Sequence, residues 1–295
     1  MTQRRQVRSV RPDRTGYADP PPLPDRLPLP VVDNHAHLDM VRDDVPSDDL
    51  ATALAKADRV GVDRVVHIAC DLPSIRTAAA LLEAHRGVLG GMALHPNEAP
   101  ALAAAGGLDA ARAEVEAFAA HPRVRVIGET GLDYYRTAEP GRPAQRASFR
   151  AHIDLARRTG KALQIHDRDA HEDVLAILAA ERASAGGEPI VMHCFSGDMA
   201  MARECVERGY FLSFSGTVTF KGAGSLRDAL AVIPLDQVLV ETDAPFLTPH
   251  PHRGAANASY LIPLTVRVMA MVLNVSVPTM CEALSANAER LYGPW

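Results

Sequence analysis

Residues 31–39 read VVDNHAHLD. Val31 and Val32 lead into Asp33 and Asn34, and His35 and His37 flank the small Ala36. On an extended strand, side chains two residues apart point to the same side. Both imidazoles therefore face one way, with only a methyl group between them. Imidazole is the commonest nitrogen ligand of divalent transition metals, so the pair is a metal half-site. Taken alone, the same pair reads as a strand-capping histidine beside a solvated one. The rest of the chain has to decide.

Outward from this stretch, short apolar runs alternate with longer helical patterns. The runs are Val31–His37, Arg64–Cys70, Val88–His95, Val124–Glu129, Ala162–His166, Ile190–His193, Tyr210–Ser215 and Val238–Asp243. Ala-, Leu- and Arg-rich stretches such as Asp48–Val60, Ser74–His85 and Ala144–Thr159 lie between them. Near-continuous apolar strands, each followed by a helix, imply parallel strands buried on both faces. Eight such units in roughly 260 residues predict a single-domain (β/α)8 TIM barrel over 31–295. An open doubly wound sheet is the rival, weakened because no GxGxxG turn follows the first run. Ser259–Leu273 and Pro278–Leu291 read as further helices, with Pro263 and Pro278 confined to their first turns.

Residues 1–30 differ in kind. Arg4, Arg5, Arg8, Arg11 and Arg14 precede a run containing Pro20, Pro21, Pro22, Pro24, Pro28 and Pro30. Such a segment buries little apolar surface and favours extended backbone, so it is expected to be a flexible, disordered arm with solvated arginines. The 295-residue chain carries a net charge of −5, which excludes a basic protein that coats nucleic acid. Its four cysteines form no CxxC, as expected of free thiols in a reducing compartment. No apolar run of about 18 residues predicts a membrane span, and no signal-type apolar region opens the chain. A cytoplasmic protein is expected.

The polar residues fall at the ends of the runs. His35 and His37 end the first, His95 the third, His166 the fifth and His193 the sixth. Glu129 sits in the fourth with Asp133 beyond it, and Glu241 and Asp243 end the eighth. In a barrel these ends meet at one face, where active sites of this fold lie. His67, inside a strand, is expected to be a satisfied core histidine. Gathering several histidines with Glu129 and Asp243 away from water costs several kcal/mol per ion without counter-charge. Divalent cations remove that cost. Four histidines and two carboxylates exceed one tetrahedral site and suit two ions bridged by a carboxylate. A single-metal site and a metal-free polar cluster are the alternatives.

At these motifs the sequence resembles the TatD family of metal-dependent deoxyribonucleases, among the amidohydrolase-like hydrolases. The matching segments, in family order, are DNHAHLD, the ALHP run, GETGLDYY, QIHDRDAH, MHCFSG, FLSFSGTVTFK and VETDAPFLTP. The resemblance implies that His35, His37 and Asp243 hold one divalent ion (Mg, Mn or Zn), that Glu129 bridges, and that His166 and His193 complete the second. It implies a hydrolase cutting phosphodiesters of DNA, working 3′→5′ on single-stranded ends, with Asp243 or Glu129 orienting the attacking water and taking its proton. His95, Arg168, Lys221 and Tyr134 are the candidate substrate contacts: His95 and Lys221 toward phosphates, Arg168 toward a phosphate or Asp243, and Tyr134 or Tyr135 stacking on a base. The family's basic RGKRNEP-like run here reads RGAANAS from Arg253, which thins the positive rim. The same pair of ions would also serve hydrolysis of a small lactone, amide or phosphoester, which is the alternative function.

Overall fold

The computed structural model describes residues 4–7, 19–182 and 187–295. Three short strands open the chain order: β1 (Arg5–Val7), β2 (Val31–Ala36) and β3 (Met40–Arg42). Then β4 (Val62–Ala69), β5 (Val88–Met92), β6 (Val124–Asp133), β7 (Ala162–Arg168), β8 (Ile190–Met192), β9 (Phe211–Phe214) and β10 (Val238–Val240) follow. The eight-stranded sheet runs β10-β9-β8-β7-β6-β5-β4-β2, every pair parallel. Each predicted run supplies one of its strands, so the expected TIM barrel is the fold.

The first and last strands of the sheet are joined at their C-terminal ends. Asp243 N donates to His35 O at 2.9 Å and His37 N to Ala244 O at 2.8 Å. The side chain of Asn34 donates to Val240 O at 2.9 Å. Asp33 spans the same seam: it accepts from Thr242 N at 2.9 Å and from the Thr242 hydroxyl at 2.6 Å. Burial pushes Asp33 up to about 6, against the pull of these hydrogen bonds.

The helices pack outside: α1 (Leu50–Arg59), α2 (Leu72–Ala84), α3 (Ala99–Ala104), α4 (Leu108–Ala119), α5 (Arg142–Thr159), α6 (His171–Arg182), α7 (Met199–Glu207), α8 (Gly224–Leu230), α9 (Ile262–Val272) and α10 (Val277–Tyr292). Their starts carry the expected chemistry. Asp49 caps α1 through Thr52 N, and Asp71 and Ser74 form a reciprocal capping box on α2. Each helix turns apolar residues such as Ile75, Phe149 and Met269 onto the outer face of the sheet, and Val32, Val66, Val126 and Val191 fill its interior with Leu239. Among the described residues no single helix is long and apolar enough to cross a membrane.

The flexible-arm expectation is corrected where residues are described. β1 pairs with β3, and Pro21 O accepts from the Tyr260 hydroxyl at 3.1 Å. Leu27 is buried and its amide donates to Val60 O at 2.9 Å. The prolines leave backbone carbonyls unused by any ladder, and barrel side chains such as Arg267 donate to that stretch. Arg8, Arg11 and Arg14 lie outside the described residues. His67 is a core histidine as expected but is only half satisfied. Leu38 N donates to its Nδ1 at 3.3 Å, and its Nε2 has no hydrogen-bond partner.

Candidate metal centre

Glu129 is the hub of the barrel mouth. It lies in β6 at a register irregularity between Ile127 and Thr130, where β6 meets β7. Irregularities of this kind re-aim a side chain out of the ladder. Two glycines let the backbones close there. A Cβ on Gly128 would stand 2.6 Å from the Gln164 Cβ, and one on Gly131, at φ 141°, would stand 2.1 Å from His166 O. The GETG motif is therefore a packing requirement on both sides of the carboxylate.

The two oxygens of Glu129 face two different sets of groups. Oε1 lies 3.4 Å from His37 Nε2 and 3.8 Å from His35 Nε2. Asp243 Oδ1 repeats those separations, 3.4 Å to His37 and 3.8 Å to His35. Oε2 lies 3.2 Å from His166 Nδ1 and 3.3 Å from His193 Nε2, with His95 Nε2 further off at 3.9 Å. Donor atoms about 2.0–2.1 Å from one tetrahedral ion stand roughly 3.4 Å apart. The observed spacings are of that size on both sides of Glu129.

The outer partners set which nitrogen points inward. His35 Nδ1 donates to Gln164 Oε1 at 2.9 Å, and the Gln164 amide is fixed by its own donation to Asn34 O at 2.8 Å. His37 Nδ1 donates to Ile68 O at 3.0 Å. A carbonyl can only accept, so in the neutral form of each ring the lone pair is on the inward Nε2. His193 Nδ1 faces Glu241 Oε1 at 2.8 Å. His166 is reversed: its Nε2 faces Asp133 Oδ2 at 3.3 Å while Nδ1 faces Glu129.

The bare side chains interact strongly, and their burial and mutual charges work against one another. Burial drives His35 well below its usual range, and His193 adds to the effect. Burial opposes the charged form of His193 too, but Glu241 and Glu129 outweigh it and hold that imidazolium well above the usual range. His37 is raised likewise, Asp243 overcoming its burial. Burial would raise Glu129, yet His95, His166 and His193 hold it well below the carboxylate range. His35 Nε2 is wholly buried with no hydrogen-bond partner. An orphaned imidazole nitrogen, aimed with a second one at two carboxylate oxygens, is a donor set that fits a divalent cation. His35, His37 and Glu129 form one three-ligand group, and His95, Glu129 and His166 another.

The remaining predicted residues divide. His95 accepts from Asn97 N through Nδ1 at 3.1 Å, so its Nε2–H points at the cluster as a donor. Burial pulls it down to about 3, so it stays neutral. Tyr134 is corrected as a base platform: the Arg142 guanidinium lies 4.1 Å from its ring centroid, and its hydroxyl is engaged by Asp173 and Arg146. Its neighbour Tyr135 is the exposed ring, 62 % accessible, with the Arg168 guanidinium 4.0 Å from its centroid. Arg168 therefore stacks on Tyr135 and makes no ion pair with Asp243. Lys221 is exposed in the loop after β9. Gln164, Asp133 and Glu241 act on the cluster without having been assigned to it from sequence. Glu241 and Asp133 carried a signal, as carboxylates at or just past the end of an apolar run, whereas Gln164 carried none.

Comparisons place this geometry in a known context. The family described as TatD related DNase matches residues 32–293. A metal-dependent hydrolase of Mycobacterium tuberculosis named TatD is 47% identical over 271 residues, covering 89% of this chain and 98% of that protein. A metal-dependent hydrolase of Bacillus subtilis is 35% identical over 262 residues, covering 89% and 98%. The crystal structure of a TatD homologue from Escherichia coli superimposes with a TM-score of 0.79 at 23% identity, covering 90% of this chain and 98% of that one. An Escherichia coli phosphotriesterase homology protein, solved with phosphate in its active site, gives 0.66 at 14% identity, covering 90% and 99%.

Proposed function

Since the chain belongs to the TatD family of metal-dependent hydrolases, we propose that it hydrolyses phosphodiester bonds of DNA, removing nucleotides 3′→5′ from single-stranded ends. The observation that carries the reading is the division of Glu129, one oxygen to His35 and His37 and the other to His166 and His193. A carboxylate placed that way suits two ions, the arrangement that serves in-line displacement at phosphorus. In this reading His35, His37 and Asp243 would hold one ion and His166 and His193 the other, with Glu129 serving both. When bound, such ions supply Lewis acidity toward a phosphoryl oxygen and a water of lowered pKa.

The chain's own groups do the rest. Asp243, 16% exposed at the open side of the cluster, orients the attacking water and accepts its proton. His95 Nε2–H donates to a non-bridging oxygen as charge builds there. Tyr135, backed by Arg168, offers a π-face to a base of the incoming strand. Few phosphates need to be held at once, so a net negative protein suits the task.

The test is shortening of 3′- and 5′-labelled single-stranded DNA by purified protein titrated with Mg, Mn or Zn. Loss of nucleotides from the 3′ end is expected. No shortening with any of the three metals overturns the reading. A panel of lactones, amides and small phosphoesters, run beside it, reports the alternative substrate class.

A further inference from the structure

The loop after β2, residues 38–50, holds five aspartates and one arginine. Residues 1–14 hold five arginines and one aspartate. The family match begins at residue 32, so this N-terminal segment lies outside it. The structure brings the described residues 4–7 of this segment, with Arg4 and Arg5, against that loop. β1 runs parallel to β3 with Arg5 opposite Met40 and Val7 opposite Arg42. Arg5 N donates to Asp39 O at 2.6 Å, and Asp43 N to Val7 O at 3.1 Å. Val7 packs against the apolar cluster that includes Met40.

The arginine side chains complete the attachment. Arg4 donates from Nε to Leu38 O at 2.9 Å and from Nη1 to Asp48 O at 3.0 Å. The Arg5 guanidinium pairs with Asp71 and lies 4.0 Å from Asp39 Oδ2. Lys56 already pairs with Asp48 and Arg42 with Asp44. Among the described residues Arg5 makes the salt-bridge contacts of Asp39 and Asp71, and Arg4 also acts on Asp39 electrostatically. Both aspartates sit one step outside the metal centre. Asp39 is two residues past His37, and Asp71 follows Cys70, whose carbonyl accepts from His95 N at 2.8 Å. The Arg5 side chain stays 38% exposed there.

A polyanion entering the mouth meets this rim. Bare carboxylates beside His37 and His95 would repel it, and mouth charge of one sign acts strongly on association. We propose that β1 is a built-in counter-charge clamp: Arg4 and Arg5 neutralise the acidic first loop and so let this mouth accept a polyanionic strand. The proposal rests on the nuclease reading for the identity of that strand. It assigns the segment outside the family match to substrate admission.

The test compares the full-length protein with Arg5→Gln, Arg5→Lys and the Arg4→Gln/Arg5→Gln double variant, each loaded with calcium. Binding of a fluorescent single-stranded oligothymidylate is followed by anisotropy, beside a methylphosphonate oligomer of the same sequence, whose backbone is neutral. At roughly 0.02 M salt, Arg5→Gln is expected to bind the anionic strand about fivefold or more weakly, with the gap closing near 0.5 M. Arg5→Lys is expected to recover most of the loss, and the neutral oligomer to bind all variants alike. Thermal melts check that the variants are folded. Equal or tighter binding of the anionic strand by folded Arg5→Gln overturns the clamp while leaving the nuclease reading intact. Tighter binding would make β1 an obstruction. A wild-type protein that neither binds nor shortens the anionic strand removes the nuclease reading, and the clamp with it.

Discussion

His193 Nδ1 stands 2.8 Å from a carboxylate oxygen of Glu241, an ion-pair contact, and Glu241 is fully buried with neither oxygen in a hydrogen bond. An anion placed there has one evident task, to hold the imidazole with Nε2 inward and make it a stronger base. Glu241→Gln keeps the shape and removes the charge. Metal affinity is expected to fall about 10- to 100-fold, the usual cost of losing such an outer partner. Calorimetric titration with zinc or manganese measures it, and unchanged affinity would count against the role.

Glu129→Gln removes charge from both halves of the centre at once. Activity on whichever substrate the protein cleaves is expected to drop on the order of 10³-fold or more, as loss of several kcal/mol of charge stabilisation implies. Bound metal per protein, read by elemental analysis, should fall with it. A variant that keeps both ions and most of its rate would show that Glu129 is not a bridge.

Proton traffic gives an independent check. In the ion-free protein, burial opposes the charged forms of His37 and His193, but Asp243 and Glu241 hold both well above their usual range. Both are therefore protonated near neutral pH, and a cation must displace those protons. Metal affinity should rise with pH through the neutral range and level off above the raised values. The ion-free fold should behave oppositely. A raised folded-state value stabilises fully below the unfolded histidine value near 6.5 and loses that contribution as pH climbs through the folded one. Calorimetry in buffers of different ionisation enthalpy counts the released protons, and a count of zero near neutrality contradicts this account.

Gly131→Ala tests the close approach of β6 to β7. Its Cβ would fall 2.1 Å from His166 O at a backbone φ of 141°. A loss of about 3 kcal/mol or more is expected, beyond ordinary overpacking, because both the clash and the conformation are unfavourable. Thermal and urea melts read it. A melting temperature equal to wild type would mean that the strands have slack here.

Tyr135→Ala should raise KM for single-stranded DNA by about 5- to 150-fold, equivalent to a stacking contribution of roughly 1–3 kcal/mol, with a smaller effect on kcat. Tyr134→Ala should instead lower stability, since Arg142 and Arg146 pack on its ring. Steady-state kinetics beside melts separate the two, and the reverse pattern would exchange their roles.

The barrel was legible because eight apolar runs alternate with helical patterns, and the site because six of those runs carry at their ends a histidine or carboxylate that apolar surroundings do not explain. His35, Glu129, His166, His193 and Asp243 stood out for that reason, and they do converge. Gln164 was hidden because an uncharged amide fits a pleat without comment. Asp133 was visible, but its approach to His166 depends on the irregular β6–β7 register. Adjacent residues leave a chain on opposite sides, so no composition argument separates Tyr134 from Tyr135. The N-terminal strand was misread because its arginines were weighed alone. Their match to the aspartates of residues 38–50 was the available signal.

The hydrogen bonds that fasten β2 to the segment after β10 run through His35, His37, Asp243 and Ala244, so in the proposed arrangement closing this junction would also assemble the cation's ligands. A ribosome-bound chain has its two leading histidines early, yet lacks Asp243 and the backbone that aligns them until more than two hundred further residues are made. A cation held by His35, His37 and Asp243 would therefore wait for the finished chain and would rivet the two ends of the sheet together. Stripping it should loosen this junction first, ahead of the strands opposite.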